Sequence, residues 1–219
     1  AIYFRCYLVP GTPSLTKRYL PESVLELFDH GPALPPFDSG GADPVDVERF
    51  LVEVGALELC RGDEDLCLSP AFRESWNDRL ESQGSAADAD VDPLFAGLDV
   101  AGPIRTESRP NAFVAAVDAG VLGRWESETA FLADLAADAV LRESVRRWSG
   151  VPYETRTELL GALRIWLDHC PACGGLVSLD EQTVESCCRS VDVVAATCDD
   201  CSTRLFEARL PPGGLRTDA

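Results

Sequence analysis

The chain has 219 residues, with 37 acidic side chains against 19 basic ones and a formal net charge of −18. That length holds one to three small domains, and no apolar run approaches the roughly 18 residues of a membrane-spanning helix. Nine cysteines, an odd number, speak against a disulfide framework and for a reducing compartment, so a cytoplasmic protein is expected. The first residues, Ala1-Ile2-Tyr3-Phe4-Arg5-Cys6, lack a basic segment followed by a long apolar one, so no signal peptide is expected.

Residues 1–83 read as one small unit. Residues 1–9 are apolar and short, an edge strand. Residues 21–29 read as a helix with Val24, Leu25 and Phe28 on one face and Gly31 past its end. Residues 31–41, rich in Pro and Gly, form a loop. Asp43 then caps a helix over 44–54, with Pro44 at its first position, Asp46 at its third, and Val47, Phe50, Leu51 and Val54 as the buried stripe. A hairpin follows, 57–60 and 66–68. With 62–65 as the turn, Leu59 faces Leu68 and Cys60 faces Cys67, the leucines on one side and the cysteines on the other. These cysteines are either a thiol pair or small fillers beneath a neighbouring helix. Ser69-Pro70 opens a last helix carrying Phe72, Trp76 and Leu80 at steps of four.

Helix, helix, hairpin, helix resembles a winged-helix domain with the hairpin as wing. That resemblance makes 44–54 the recognition helix. Its outer face carries Asp46, Glu48 and Glu53 against Arg49, a poor surface for a DNA groove, so a protein-interaction or structural role is expected ahead of DNA contact.

Residues 84–103, mostly Gly, Ala, Asp and Pro, read as a solvated acidic linker. A middle unit over 104–168 follows. Residues 112–117 and 121–125 flank Asp118-Ala119-Gly120, a three-residue hairpin loop. Ser127 caps a helix to about Trp148, with Phe131, Leu135, Leu141, Val145 and Trp148 on its apolar side. Asp134, Asp138, Arg142 and Arg146 make a polar stripe, acidic first and basic last. Thr155 and Glu158 form a capping box for a second helix burying Leu159, Leu160, Leu163, Trp166 and Leu167. Arg142, Arg146, Arg147, Arg156 and Arg164 gather on the two helices. They are either an anion- or RNA-facing patch or solvated faces paired with Glu143, Glu154 and Glu158.

The strongest chemical statement is Cys170-Pro171-Ala172-Cys173 read with Cys198-Asp199-Asp200-Cys201, two C-x-x-C pairs with 24 residues between them. Each pair aims two thiolates at one point, and four sulfurs suit tetrahedral Zn²⁺ at roughly 2.3 Å. Strand-like runs at 176–179, 183–189, 192–197 and 203–210 surround the pairs. C-P-x-C-G-G followed by such strands resembles a zinc ribbon over residues 169–212, with a tail at 213–219. The first knuckle has Gly174 and Gly175, whereas the second, C-D-D-C-S, lacks the glycine. A closed set of four thiolates makes the zinc structural. Iron in a rubredoxin-like role is the alternative ion. Cys187 or Cys188 in a swapped ligand set, or His169 beside Cys170, are alternative ligands; neighbours on a strand point to opposite faces, so only one of the two cysteines can face the metal.

Lys17 is the only lysine among the 19 basic residues, and high Asp and Glu with many Ala resembles the proteins of extreme halophiles, whose charged surfaces stay soluble where salt screens repulsion. Taken whole, the chain is α+β. It resembles uncharacterised proteins of extreme halophiles that join a winged-helix-like unit, a small α/β middle unit (hairpin plus two helices) and a C-terminal zinc-ribbon antiparallel sheet. The histidines are His30 and His169, no P-loop or dinucleotide glycine pattern occurs, and no catalytic constellation stands out, so the chain is not expected to be an enzyme. A zinc-binding regulatory or adaptor protein is expected, with a protein partner first and nucleic acid second. The alternatives are a thiol-based redox or metal-dependent enzyme using Cys60/Cys67 or Cys187/Cys188, and a ribbon that merely completes the fold.

Overall fold

The computed structural model of the chain describes residues 46–60, 65–186 and 189–210. The strand expected at 1–9, the helix at 21–29, the cap at Asp43-Pro44, most of the 62–65 turn, the pair Cys187-Cys188 and the tail at 213–219 lie outside them. The described residues form four α-helices and three small antiparallel sheets, an α+β fold. One apolar cluster runs from Val47 to Leu210 and draws side chains from nearly every element.

The first helix, α1 (Val47–Glu53), starts at Asp46, whose carboxylate accepts from Arg49 N at 3.0 Å. Asp46 is therefore the cap and not the third helical residue: its backbone is extended, and its short carboxylate takes an amide left open by the first turn. Strands β1 (Leu57–Leu59) and β2 (Leu66–Leu68) pair with Leu57 opposite Leu68, Glu58 opposite Cys67 and Leu59 opposite Leu66. This is two residues away from the expected register, so Cys60 does not face Cys67; its amide donates to Asp65 O instead. Burial decides the slip. Leu57 and Leu68 are both enclosed by the core, while Leu59 is 66% exposed, and a two-residue shift keeps every side chain on its expected face. Helix α2 (Pro70–Ser82) begins at Ser69, whose hydroxyl accepts from Phe72 N and donates to Gly55 O at 2.6 Å, tying the end of α1 to the start of α2.

The acidic linker expected at 84–103 is instead packed onto the core. A 3-10 turn at Asp92–Phe95 buries Leu94 and Phe95. The Phe95 ring meets Trp125 edge-on at 6.2 Å and lies 5.9 Å from Tyr153. Two apolar residues in a polar stretch are enough to pin it, at about 2 kcal/mol each for full burial.

Strands β3 (Arg105–Arg109), β4 (Ala112–Val117) and β5 (Gly120–Trp125) form the second sheet in that order. Val117 pairs with Gly120, so the β4–β5 loop has two residues, not three. The β3 strand was not foreseen: Arg-Thr-Glu-Ser-Arg has no apolar alternation, because it is an edge strand with mostly exposed side chains. Gly123 is demanded by packing, since a Cβ there would collide with the indole of Trp125.

Helix α3 (Glu128–Ser144) lies at the centre. Ser127 caps it, accepting from Ala130 N at 3.1 Å. Alanines at 130, 133, 136 and 137 are all fully enclosed, and these small side chains let other elements approach closely. Trp76 of α2 donates its indole N–H to Ala133 O at 2.9 Å, and Gln83 donates to Leu132 O at 2.7 Å. The helix stops at Ser144, short of the expected Trp148, because Val145 turns to an extended backbone. Trp148 then folds back and donates its indole N–H to Asp138 at 2.8 Å.

The polar stripe on α3 is where sequence and structure differ most. Asp134 and Asp138 are 3% and 1% exposed, not solvated. Helix α4 (Tyr153–Leu163) and the 3-10 turn Arg164–Trp166 after it supply the countercharges. Arg156 approaches Asp138 at 3.5 Å, Arg142 approaches it at 2.7 Å, and Arg164 approaches Asp134 at 3.0 Å. Neither reading of the arginine cluster holds in full. Arg156 and Arg164 are buried internal ion-pair partners, Arg142 joins them, and Arg147 pairs at the surface with Glu53. The Thr155–Glu158 capping box does not form, because α4 starts three residues earlier, with Pro152 at the cap position and no side-chain cap. Trp166, expected in the core, is half-buried.

Changing Asp138 to Ala should strand the Arg156 charge and the Trp148 indole N–H in the core. A loss of about 3–5 kcal/mol is expected in denaturant unfolding, against less than about 1 kcal/mol for Arg147→Ala at the exposed pair with Glu53. Comparable losses for the two variants would contradict this assignment of the charges.

Candidate metal centre

The third sheet is built from β6 (Val177–Ser186), β7 (Arg189–Cys198) and β8 (Arg204–Arg209), in that order. The run expected at 176–179 and the start of that at 183–189 join into the single strand β6, while Arg189 opens β7 and Cys187-Cys188 lie outside the described residues. No Gly or Pro interrupts the sequence there, and Asp180-Glu181-Gln182 alternates faces like any strand segment. The first knuckle precedes β6, and the second lies between β7 and β8. Since β6 pairs with β7 such that Val177 meets Cys198, antiparallel pairing brings both knuckles to the same end of the sheet.

The knuckles are built alike. Gly174 N donates to Cys170 O at 2.8 Å and Cys170 N to Gly175 O at 2.8 Å. In the second, Ser202 N donates to Cys198 O at 3.0 Å and Cys198 N to Thr203 O at 3.0 Å. Gly174 has φ +74°, and Ser202 takes the same left-handed turn at φ +58°. The missing glycine of C-D-D-C-S is therefore replaced by a serine carrying that strain, which costs on the order of 1 kcal/mol. Gly175 has a second reason to be glycine, since a Cβ there would run into the Asp200 side chain of the opposite knuckle.

All four Sγ atoms, of Cys170, Cys173, Cys198 and Cys201, lie within 4.8 Å of one another. Cys170 and Cys201 are 3.7 Å apart, and Cys173 and Cys198 are 3.4 Å apart. A tetrahedron of sulfurs around an ion at about 2.3 Å has edges of about 3.8 Å, whereas a disulfide would need about 2.05 Å. The donor set thus fits one tetrahedral ion. The inner pair, Cys170 and Cys198, is buried, and the outer pair, Cys173 and Cys201, is exposed. Burial pushes the Cys170 thiol up to about 12, while the Thr203 hydroxyl, 3.1 Å from Cys201 Sγ, together with the Thr203 amide, holds Cys201 down at about 6. Gly175 N lies 3.4 Å from Cys173 Sγ, a further donor toward a thiolate.

His169 is exposed, and its backbone bridges Leu176; it is not among the clustered residues. Cys60 and Cys67, at the first hairpin, are not among the clustered residues either. Sequence reasoning missed Ser202 and Thr203. The one signal for them was the parallel between C-G-G and C-S-T after the second cysteine of each knuckle.

Models of a family of unknown function, DUF8054, match the chain in three parts: an N-terminal domain at residues 1–31, a central domain at 46–165 and a C-terminal domain at 168–208. The chain belongs to the DUF8054 family. All four sulfurs fall in the DUF8054 C-terminal domain. The DUF8054 central domain covers α1 through α4 as one region, including the segment expected to be a linker. No curated protein and no solved structure matches the chain.

Elemental analysis of the purified protein should find one metal ion per chain. Changing Cys173 to Ser should remove it, and acidification should release it progressively, because protons compete for the thiolates. Full metal content in Cys173→Ser would exclude that sulfur from the site.

Proposed function

We propose that the chain is a zinc-carrying regulatory or adaptor protein of the cytoplasm, acting through protein contacts first and nucleic-acid contacts second. The observation that carries this reading is the closed set of four sulfurs at tetrahedral spacing. Four thiolates leave no coordination position for a substrate, so the ion would serve the fold and not a reaction. A sheet as small as β6–β8 gains folding free energy from such an ion, on the order of 10 kcal/mol at neutral pH. Among the described residues, no helix is long and apolar enough to cross a membrane.

The α1, β-hairpin, α2 order supports a winged-helix-like start to the central domain. Its α1 presents exposed Arg49 together with Glu53, and Glu53 already pairs with Arg147. An incoming phosphate would have to displace that partner, which favours a protein over DNA as the ligand of this face. The lysine-poor, strongly acidic composition further supports a protein adapted to high salt, where phosphate contacts lose affinity steeply.

Affinity capture in molar salt, with and without nuclease, tests the reading. A specific protein partner that survives nuclease and is lost with the zinc-free Cys173→Ser chain is expected. Recovery of neither protein nor nucleic acid would refute the adaptor role while leaving the metal site intact.

A further inference from the structure

The second knuckle continues directly into the residues that fasten the sheet to the central domain. Thr203 contacts Cys201 Sγ through its hydroxyl and accepts from Cys198 N through its carbonyl. The next carbonyl, Arg204 O, accepts from Ser127 Oγ at 2.6 Å. Leu205 O accepts from Arg164 Nη1 at 2.5 Å. Glu207 N donates to Glu126 Oε1 at 3.1 Å. Three anchor points on β8, at Arg204, Leu205 and Glu207, thus follow the last ligand within six residues. Each central-domain group also has an internal task. Ser127 caps α3, Arg164 faces the buried Asp134, and Glu126 pairs with Arg164 at 2.5 Å.

We propose that the second knuckle is a metal-dependent latch on the central domain: with the ion bound, the run from Cys201 to Glu207 is held where Ser127, Arg164 and Glu126 grip it, and loss of the ion releases that grip. This rests on the metal reading above. The mechanism needs no new contact. Without the ion the second knuckle keeps its two closing backbone bonds and only weak thiol contacts to hold it, while Ser202 remains strained. Once β8 lifts, Arg164 loses a carbonyl acceptor and Glu126 an amide donor. Both groups are mostly buried, where an unmade hydrogen bond to a charge is costly, so the disturbance passes to Asp134 and the first turn of α3. A further tie, Arg73 with Asp168 at 3.1 Å beside the first knuckle, is partly exposed and contributes little, while Leu205 and Phe206 pack on the apolar core.

Hydrogen exchange on the full chain, zinc-loaded against chelator-stripped, reads this directly. Stripping should cut protection at least about tenfold at Glu207 and in the first turn of α3, where Ala130 N and Phe131 N bond to Ser127. Protection in α2 and in β1–β2 should change by less than about twofold. Loss confined to the knuckles and sheet, or equal loss throughout the chain, would overturn the latch. Glu126→Ala supplies the second arm: it should keep one zinc per chain, yet its α3 first turn should no longer respond to stripping. A response as large as in the unsubstituted protein would also overturn the latch. A chain that binds no zinc at all removes both the metal reading and the latch, whereas a zinc-bound chain with an unresponsive α3 removes the latch alone.

Discussion

Two buried carboxylates on α3 constrain most of this architecture. Asp134 and Asp138 sit in a helix that is covered on nearly every side, where an uncompensated charge would cost several kcal/mol. Each is met by an indole N–H and by arginine charge. Asp138 receives Trp148, Arg142 and Arg156; Asp134 receives Trp125 at 2.7 Å and faces Arg164. Burial still pushes the Asp134 carboxyl up to about 6, against the pull of the Arg164 charge and the Trp125 N–H. The arginines in turn need acceptors, and the chain supplies them from the 84–103 segment: Arg142 donates to Pro93 O at 2.6 Å and Arg156 donates to Ala96 O. The path of that segment, the fold-back at Trp148 and the position of α4 are thus fixed by one set of charges. Such pairs add little net stability compared with apolar packing, but wrong arrangements that leave a charge unpaired are heavily penalised.

Arg164 carries the same constraint into the C-terminal sheet. One guanidinium serves Asp134, Glu126 and the carbonyl of Leu205, so it belongs to both parts of the molecule. The base of the sheet also shares the apolar core, with Val194, Ala196, Leu205 and Phe206 in the same cluster as α3. Beyond that base the sheet thins. Strand β8 pairs with residues 193–197 of β7, and beyond them residues 183–186 of β6 pair with 189–192 of β7 alone. The end of the sheet that bears the sulfurs is the end docked on the central domain.

The clustering of the four cysteines was legible in the sequence because its chemistry is local. A C-x-x-C turn has few solutions, and two of them at this spacing leave little else for four thiols to do. The charge network was not legible, and the reason is physical. An Asp-x-x-x-Asp-x-x-x-Arg pattern gives the same signal on a solvated helix face as on a buried one. What separates the two is whether other elements cover that face, and those elements lie far away in sequence, at Pro93, Ala96, Arg156 and Arg164. The alanines of α3 carried part of the message, since a helix with small residues at 130, 133, 136 and 137 is built for close approach. The hairpin register failed on a similar point: both candidate registers keep the leucines on one face, and only the depth of the core chooses between them. Strand β3 has no apolar residue to announce it, and its pairing with β4 is made by backbone alone.

The inward use of arginine also bears on what the surface can meet. Arg142, Arg156 and Arg164 direct their charge toward Asp138, Asp134, Glu126 and backbone carbonyls, and Arg79, Arg105 and Arg147 are engaged with Glu143, Asp118 and Glu53. In a chain with nearly twice as many acids as bases, many of the described arginines are thus matched within the molecule. A polyanion approaching the central domain would have to compete with those partners, at a cost set by each broken pair. A protein surface has an easier task, because hydrogen bonds and apolar contacts to exposed side chains such as Leu59, Val52 and Leu176 require no countercharge to be displaced.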